Sequence, residues 1–363
     1  MKELEQKQIR LHQLMAEHEI DAILLQRASS FAWATGGISS YVNTASSTGA
    51  ASLLITKQKK YVLTTNIEAE RLENEEHLSS QGWEFHINPW FENPVALGKL
   101  TQGIKVGADT PLPGMVDLTN QLARVRSILT PEEINRFEIL GKKCAVGMNR
   151  AIHSINPGMT EMEIAAILGL EIQKLGAQPI VNLIATDERV YSYRHPLPTE
   201  KKLEHYALLV VCGRWKGLVC SISRLVHFGK MPSHLHKIMI ANAQIEIVFH
   251  QSTIPGVSLS QILQTAINAY KNAGYPEEWK KHHQGGVVGY ESREYLGRPD
   301  LSDLVQVNQA YAWNPSIAGC KYEDTIIVTP TGNRVLTEIE DWPKVEITIN
   351  GKTYSRPAIL EIF

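Results

Sequence analysis

Between Ala207 and Gly229 the chain reads "ALLVVCGRWKGLVCSISRLVHFG", two apolar runs around Arg214, Trp215, Lys216 and Gly217. Runs of this length and type, divided by a polar, glycine-containing step, predict two strands joined by a tight turn. The stretch is also empty of acid. No Asp or Glu occurs from His205 through Ile245, although the chain holds 38 acidic residues among 363. A gap of that length in so ordinary a composition needs a physical reason.

The bulk numbers exclude several classes. A chain of 363 residues has room for two domains, each with its own core. Hydrophobic content of 43% and charged content of 20% are those of an ordinary globular protein rather than a disordered one. The formal net charge of −2 gives no reason to expect nucleic acid or an anionic membrane as partner. No apolar run approaches the ~18 residues that a spanning helix needs. The opening "MKELEQKQIRLHQLMAEHEI" is charged and amphipathic and lacks the apolar core of a signal peptide, so a cytoplasmic location is expected. Cys144, Cys212, Cys220 and Cys320 show no CxxC spacing, which suits reduced thiols in that compartment. A cross-strand disulfide between Cys212 and Cys220 is the alternative.

Along the chain, helical spacing of Ile9, Leu11, Leu14, Met15 and His18 gives way to the strand-like "IDAILLQ". "GAASLLITKQKKYVLTT" reads as two strands around a lysine-rich turn, "IEAERLENEEHL" as a charged helix and "GIKVGAD" as a short strand. This alternation predicts an α/β domain over residues 1–125. A second unit, 126–363, opens with Thr130 placed to cap a helix, Pro131 at its first position and Glu132 and Glu133 in its first turn. Thr160 and Glu163 form the pattern of a capping box. Strands are expected over 178–229, helices near 233–251 and 259–273, and strands again in "QAYAWNPSIAGCKYEDTIIVTPTG".

With its landmarks in this order, the chain resembles the creatinase/prolidase/methionine aminopeptidase family, of pita-bread fold. The N-terminal part is similar to the creatinase-type domain in "LMAEHEIDAILL" and "FAWATGG". The remainder is similar to the catalytic domain in "LTPEEI", "HPLPTEKKLEHYALLVV", "GRWKGLVCSISR", "HHQGG" and "KYEDTIIVT". The resemblance implies an α/β (α+β) fold, an Xaa-Pro dipeptidase-like hydrolase and a homodimer. It also implies two divalent ions held by two aspartates, one histidine and two glutamates, which suits hard cations that acidify a bridging water.

Carried over residue by residue, that ligand set is mostly missing. The first aspartate falls at Val210, or Val211 in a slipped register, the second at Ser221, and the first glutamate at Asn314. His283, next to His282, and Glu323 remain. The expected cofactor is therefore none, with one Zn or Mn ion on His283 and Glu323, aided by His282 or Cys212, as the alternative. His195 matches the histidine that lies over the substrate in this family. Creatinase itself also lacks the metal set and uses this histidine for acid–base work, but its second carboxylate has no counterpart here, where Ser223 stands.

The residues expected to act in catalysis are His195, His283 and Glu323, with Asn314, Ser221, Glu294 and Arg293 at the substrate. Gly285 and Gly286 either admit a ligand close to the backbone or shape a turn. Cys220 as a nucleophile has no evident base. The expected activity is metal-independent hydrolysis of a small amide, peptide-like or amidino substrate. A non-catalytic pseudo-peptidase that binds a small metabolite or a protein, and an altered metallopeptidase with one or two ions, are the alternatives. With Val210 and Ser221 in place of the two aspartates, the strand pair would line a pocket that no longer concentrates charge.

Overall fold

The computed structural model describes residues 2–363. The chain divides into two compact units. One runs to Glu132 and takes in Lys216–Leu218, and the other comprises Glu133–Trp215 and Val219–Phe363.

The first unit is built on a six-stranded sheet. Its strands are β1 (Ala22–Arg27), β2 (Thr48–Thr56), β3 (Lys60–Thr65), β4 (Glu84–Asn88), β5 (Val106–Ala108) and β6 (Val116–Asp117), in the order β4-β3-β2-β1-β5-β6. The lysine-rich turn reverses β2 into β3, which pair antiparallel. On β1, Ile23, Leu24 and Leu25 are all fully buried, so this central strand is covered on both faces and reads as a continuous apolar run. The amphipathic opening segment forms the helix Glu3–Glu17.

In the second unit, β7 (Gln178–Thr186), β8 (Tyr206–Trp215) and β9 (Leu218–Phe228) are adjacent strands of one sheet. A second sheet has the order β11-β10-β12-β15-β16. Its members are β10 (Gly285–Val288), β11 (Tyr295–Leu296), β12 (Ala310–Trp313), β15 (Asp324–Thr329) and β16 (Gly332–Val335), and β13 (Ser316–Ile317) and β14 (Cys320–Lys321) form a small hairpin before β15. β17 (Lys344–Ile349) pairs with β18 (Lys352–Pro357), and β19 (Leu360–Ile362) closes the edge of β9. The longer helices of the unit are Pro131–Ile152, whose first two residues fall to the first unit, Glu161–Lys174, Ser233–Ser252 and Leu259–Asn272. The capping box at Thr160 forms as expected: its hydroxyl accepts from the Glu163 N–H, and Glu163 accepts from the Thr160 N–H.

The acid-free hairpin now has a local explanation. Tyr206–Gly213 and Leu218–His227 are buried along their whole length, so an added carboxylate would lose its hydration and need a cation or several donors in return. Lys216 (φ 48°) and Gly217 (φ 77°) both sit in the left-handed region, as a two-residue turn matched to the strand twist requires. All four cysteines are free and buried, so the Cys212–Cys220 disulfide does not form. Among the described residues, no helix is long and apolar enough to cross a membrane.

Candidate functional site

A cavity of about 280 Å³ opens in the second unit between the two sheets. Val181, Leu183 and Val210 give it an apolar wall. Besides Ser292 and the Cys212 thiol, its polar groups are His195, His283, Arg293, Asn314, Lys321 and Glu323. They arrive from separate elements. His195 comes from the loop before β8, His283 from the approach to β10, Arg293 from the loop between β10 and β11, and Asn314 from the end of β12. Lys321 ends β14, and Glu323 lies just ahead of β15.

Glu323 is the centre of the charge arrangement. One carboxylate oxygen accepts from Arg293 at 2.9 Å. The other lies 3.1 Å from Lys321 Nζ and accepts from Ser223 Oγ at 2.7 Å. The peptide N–H of Ser223 also donates to the Glu323 carbonyl at 3.0 Å, which ties β9 to this segment. Burial alone would raise the Glu323 carboxyl. Lys321 and Arg293 outweigh it and hold the group well below the usual carboxylate range.

Two cations against one carboxylate leave an excess of one positive charge, and the neighbouring histidines register it. Burial pushes His282 down to about 2, with Lys321 adding to the effect. Burial pushes His283 down to about 4, with Arg293 the next cause. His195 is lowered in the same direction by burial and then by Lys321. All three imidazoles are therefore neutral near neutral pH. His195 and His282 meet through their Nε2 atoms at 2.9 Å, so one nitrogen donates and the other accepts. One ring nitrogen from each of the three lies within 4.8 Å of the others, a spacing that a single ion with nitrogen ligands could use.

The expected site residues separate. His195, His283, Arg293, Asn314 and Glu323 line one cavity. Ser221 stands behind it, with its Oγ 3.2 Å from Cys212 Sγ and 3.4 Å from Arg293. Glu294 does not join the cavity: its carboxylate turns back to accept the Tyr290 N–H at 2.9 Å, closing its own loop. Of the two candidate positions for the first aspartate, Val210 faces the cavity, with Cys212 two residues along on the same face. Burial pushes the Cys212 thiol up to about 11, and the Cys220 thiol up as well, so neither is a ready nucleophile. The glycines of "HHQGG" serve strand packing rather than a ligand. A Cβ on Gly285 would sit 2.1 Å from the Ala312 carbonyl, and one on Gly286 2.4 Å from that of Tyr295.

The residue that sequence reasoning missed is Lys321, and with it the charge of the pocket. The cavity concentrates charge instead of losing it. The signal lay in "CKYED": two residues before Glu323 on an extended chain, Lys321 points to the same side.

Comparison with known proteins agrees with this architecture. Residues 135–330 match the model of metallopeptidase family M24, and residues 8–110 that of the creatinase/prolidase N-terminal domain. The chain belongs to family M24. This M24 member is 22% identical to an Xaa-Pro dipeptidase of Pyrococcus horikoshii, over 93% of its own length and 98% of the relative's. Its fold is shared with the prolidase of Pyrococcus horikoshii (TM-score 0.79, 20% identity, 92% of this chain and 98% of that one). It is shared equally with an Xaa-Pro dipeptidase from Bacillus anthracis (TM-score 0.80, 20% identity, 99% and 100%). The pita-bread fold and creatinase-type N-terminal domain read from the sequence are thereby confirmed.

Proposed function

We propose that this M24 member hydrolyses a small amide or peptide-like substrate without the family's pair of divalent ions. The observation that carries this reading is the engagement of Glu323. Among the described residues one carboxylate lines the cavity, and both of its oxygens are held by fixed cations, Arg293 at 2.9 Å and Lys321 at 3.1 Å. Two dications placed here would face two resident cations and a single acid, with Asn314, Ser221, Cys212 and Val210 supplying no negative charge. That donor set does not fit hard divalent ions.

His195 is then the group suited to move a proton. It is neutral near neutral pH, and its contact with His282 fixes the ring. In hydrolysis it takes a proton from water as the oxygen attacks the substrate carbonyl. The carbonyl oxygen gains the negative charge, which Lys321 and Arg293 stabilise. The proton is returned to the departing amine as the C–N bond breaks. Glu323, fixed in its ion pairs, holds the two cations in place and exchanges no proton. The positive balance of the cavity favours anionic or neutral amides over a cationic amidino substrate.

The test combines metal analysis with a screen of dipeptides and N-acyl amino acids. Turnover insensitive to chelator and reduced about 10²- to 10⁴-fold in His195→Ala is expected. Two tightly bound equivalents of Mn, Co or Zn, with cleavage abolished by chelator, would overturn the reading. A compound that raises the melting temperature and is never converted would replace it with the non-catalytic one.

A further inference from the structure

We infer that Lys321 and Arg293 form a built carboxylate-binding site, and that the ligand carries an N–H donor beside its carboxylate, which Asn314 receives. The inference deepens the proposed hydrolase reading and rests on its premise that no divalent ions stand in the cavity.

Lys321 is only 5% exposed, yet it lines the cavity with Glu323 as its ion-pair partner. An ammonium has three donors, so a second anion can be taken without breaking that pair. Arg293 brings a further donor, since its Nε is buried and has no hydrogen-bond partner. Lone buried donors of this kind are costly unless something occupies the space before them. Asn314 supplies the complement. It is 2% exposed, lines the same cavity, and its Oδ1 accepts no hydrogen bond.

The ligand's chemistry follows from these groups together. The excess positive charge selects a monoanion and rejects guanidinium compounds and divalent cations. A planar carboxylate suits the guanidinium fork and the neighbouring ammonium. The Asn314 oxygen takes an N–H close to that carboxylate, and the apolar wall of Val181, Leu183 and Val210 accepts a hydrocarbon side chain. An N-acyl amino acid, or the C-terminal half of a dipeptide, combines all three features.

Calorimetric titration of the metal-stripped chain with a panel of N-acetyl amino acids, each beside its uncharged N-methylamide, tests this. At least one acid should bind saturably at millimolar or lower concentration, and its N-methylamide about 10- to 100-fold more weakly. Lys321→Gln should lose a similar factor and Lys321→Arg should recover most of it. If Lys321→Gln fails to fold, Arg293→Gln carries the same expectation. Equal binding of acid and amide, no binding across the panel, or binding that appears only when Mn²⁺ is added would each overturn the inference. Failure of the hydrolase reading looks different: acids bind to wild type and to His195→Ala alike, and neither protein converts any of them.

Discussion

Glu323 and Asp324 are consecutive, equally buried and each held by two cations, yet they face different environments. Glu323 meets Lys321 and Arg293 at a cavity of about 280 Å³. Asp324 points to the other side, where Arg224 lies at 2.8 Å, Arg356 at 2.7 Å and the Thr337 hydroxyl at 2.6 Å. Arg356 also bonds Glu246 at 2.7 Å, so two guanidinium groups there confront two carboxyl groups. A hollow of about 140 Å³ reaches those arginines, but both of their carboxyl partners come from within the fold, Asp324 with its pKa held low and Glu246 pushed up by burial to about 7. On the Glu323 side one cation is left over. Matched charge holds the sheets together, and unmatched charge waits for a ligand.

The largest expected effect separates the two sides directly. Asp324→Asn leaves Arg224 and Arg356 buried with too little compensation and should lower stability by about 3–5 kcal/mol, read as a shift in the urea midpoint. Glu323→Gln should cost less, about 1–2 kcal/mol, because the cations it releases border a cavity that water can enter. Equal losses would show that both carboxylates are structural, and the contrast would collapse.

A second effect on the Asp324 side comes from His250 and adds to that of the lowered cavity histidines. His250 lies 3.9 Å from Glu246, and burial, followed by the Arg356 charge, pushes its imidazole down to about 3. Its folded pKa is thus below that of the unfolded chain, so the unfolded state binds more protons between these values. Stability from this group is complete above about pH 6.5 and drains as pH falls toward 3, by about 2 kcal/mol between pH 6.5 and pH 5. Urea midpoints measured across that range should fall less steeply in His250→Gln. An unchanged slope would mean that His250 is protonated in the folded chain.

How much of this was legible in the sequence depended on whether a residue's position is set locally. The hairpin turn at Lys216-Gly217, the capping box at Thr160 and the strands of both sheets follow from propensity and periodicity, which act within a few residues. The convergence of His195, His283, Asn314 and Glu323 was readable only through the family resemblance, because they lie on four separate elements. Lys321 escaped although it opens the landmark "KYEDTIIVT", because only Glu323 within that stretch matched a ligand position, and strand alternation alone put Lys321 beside it. Arg293 and Glu294 were indistinguishable as neighbours in one loop. Their difference arises from a backbone path that turns Glu294 onto the Tyr290 N–H and leaves Arg293 facing Glu323. The acid-free hairpin alone implies the lining of an uncharged pocket; the pocket's positive charge comes instead from Arg293 in the β10–β11 loop and Lys321 on β14.

The smallest effect on stability sharpens the comparison most, because it isolates a group with no structural work. Asn314 is buried, but its Oδ1 accepts nothing within the fold, so Asn314→Ala removes an unmet acceptor rather than a bond. The lost packing and the relief of that acceptor oppose each other, and the net change should stay below about 1 kcal/mol. Thr337→Ala on the opposite side has similar burial, but its hydroxyl donates to Asp324 at 2.6 Å and accepts from the Thr325 N–H at 3.1 Å. Its loss should cost about 1.5–3 kcal/mol, as for a hydrogen bond to a charged group. For the N-acetyl amino acids the order reverses: Asn314→Ala should weaken binding and Thr337→Ala should leave it unchanged. If Asn314→Ala destabilised the fold as much as Thr337→Ala without touching the ligand, Asn314 would belong to the framework and the cavity would lose its acceptor.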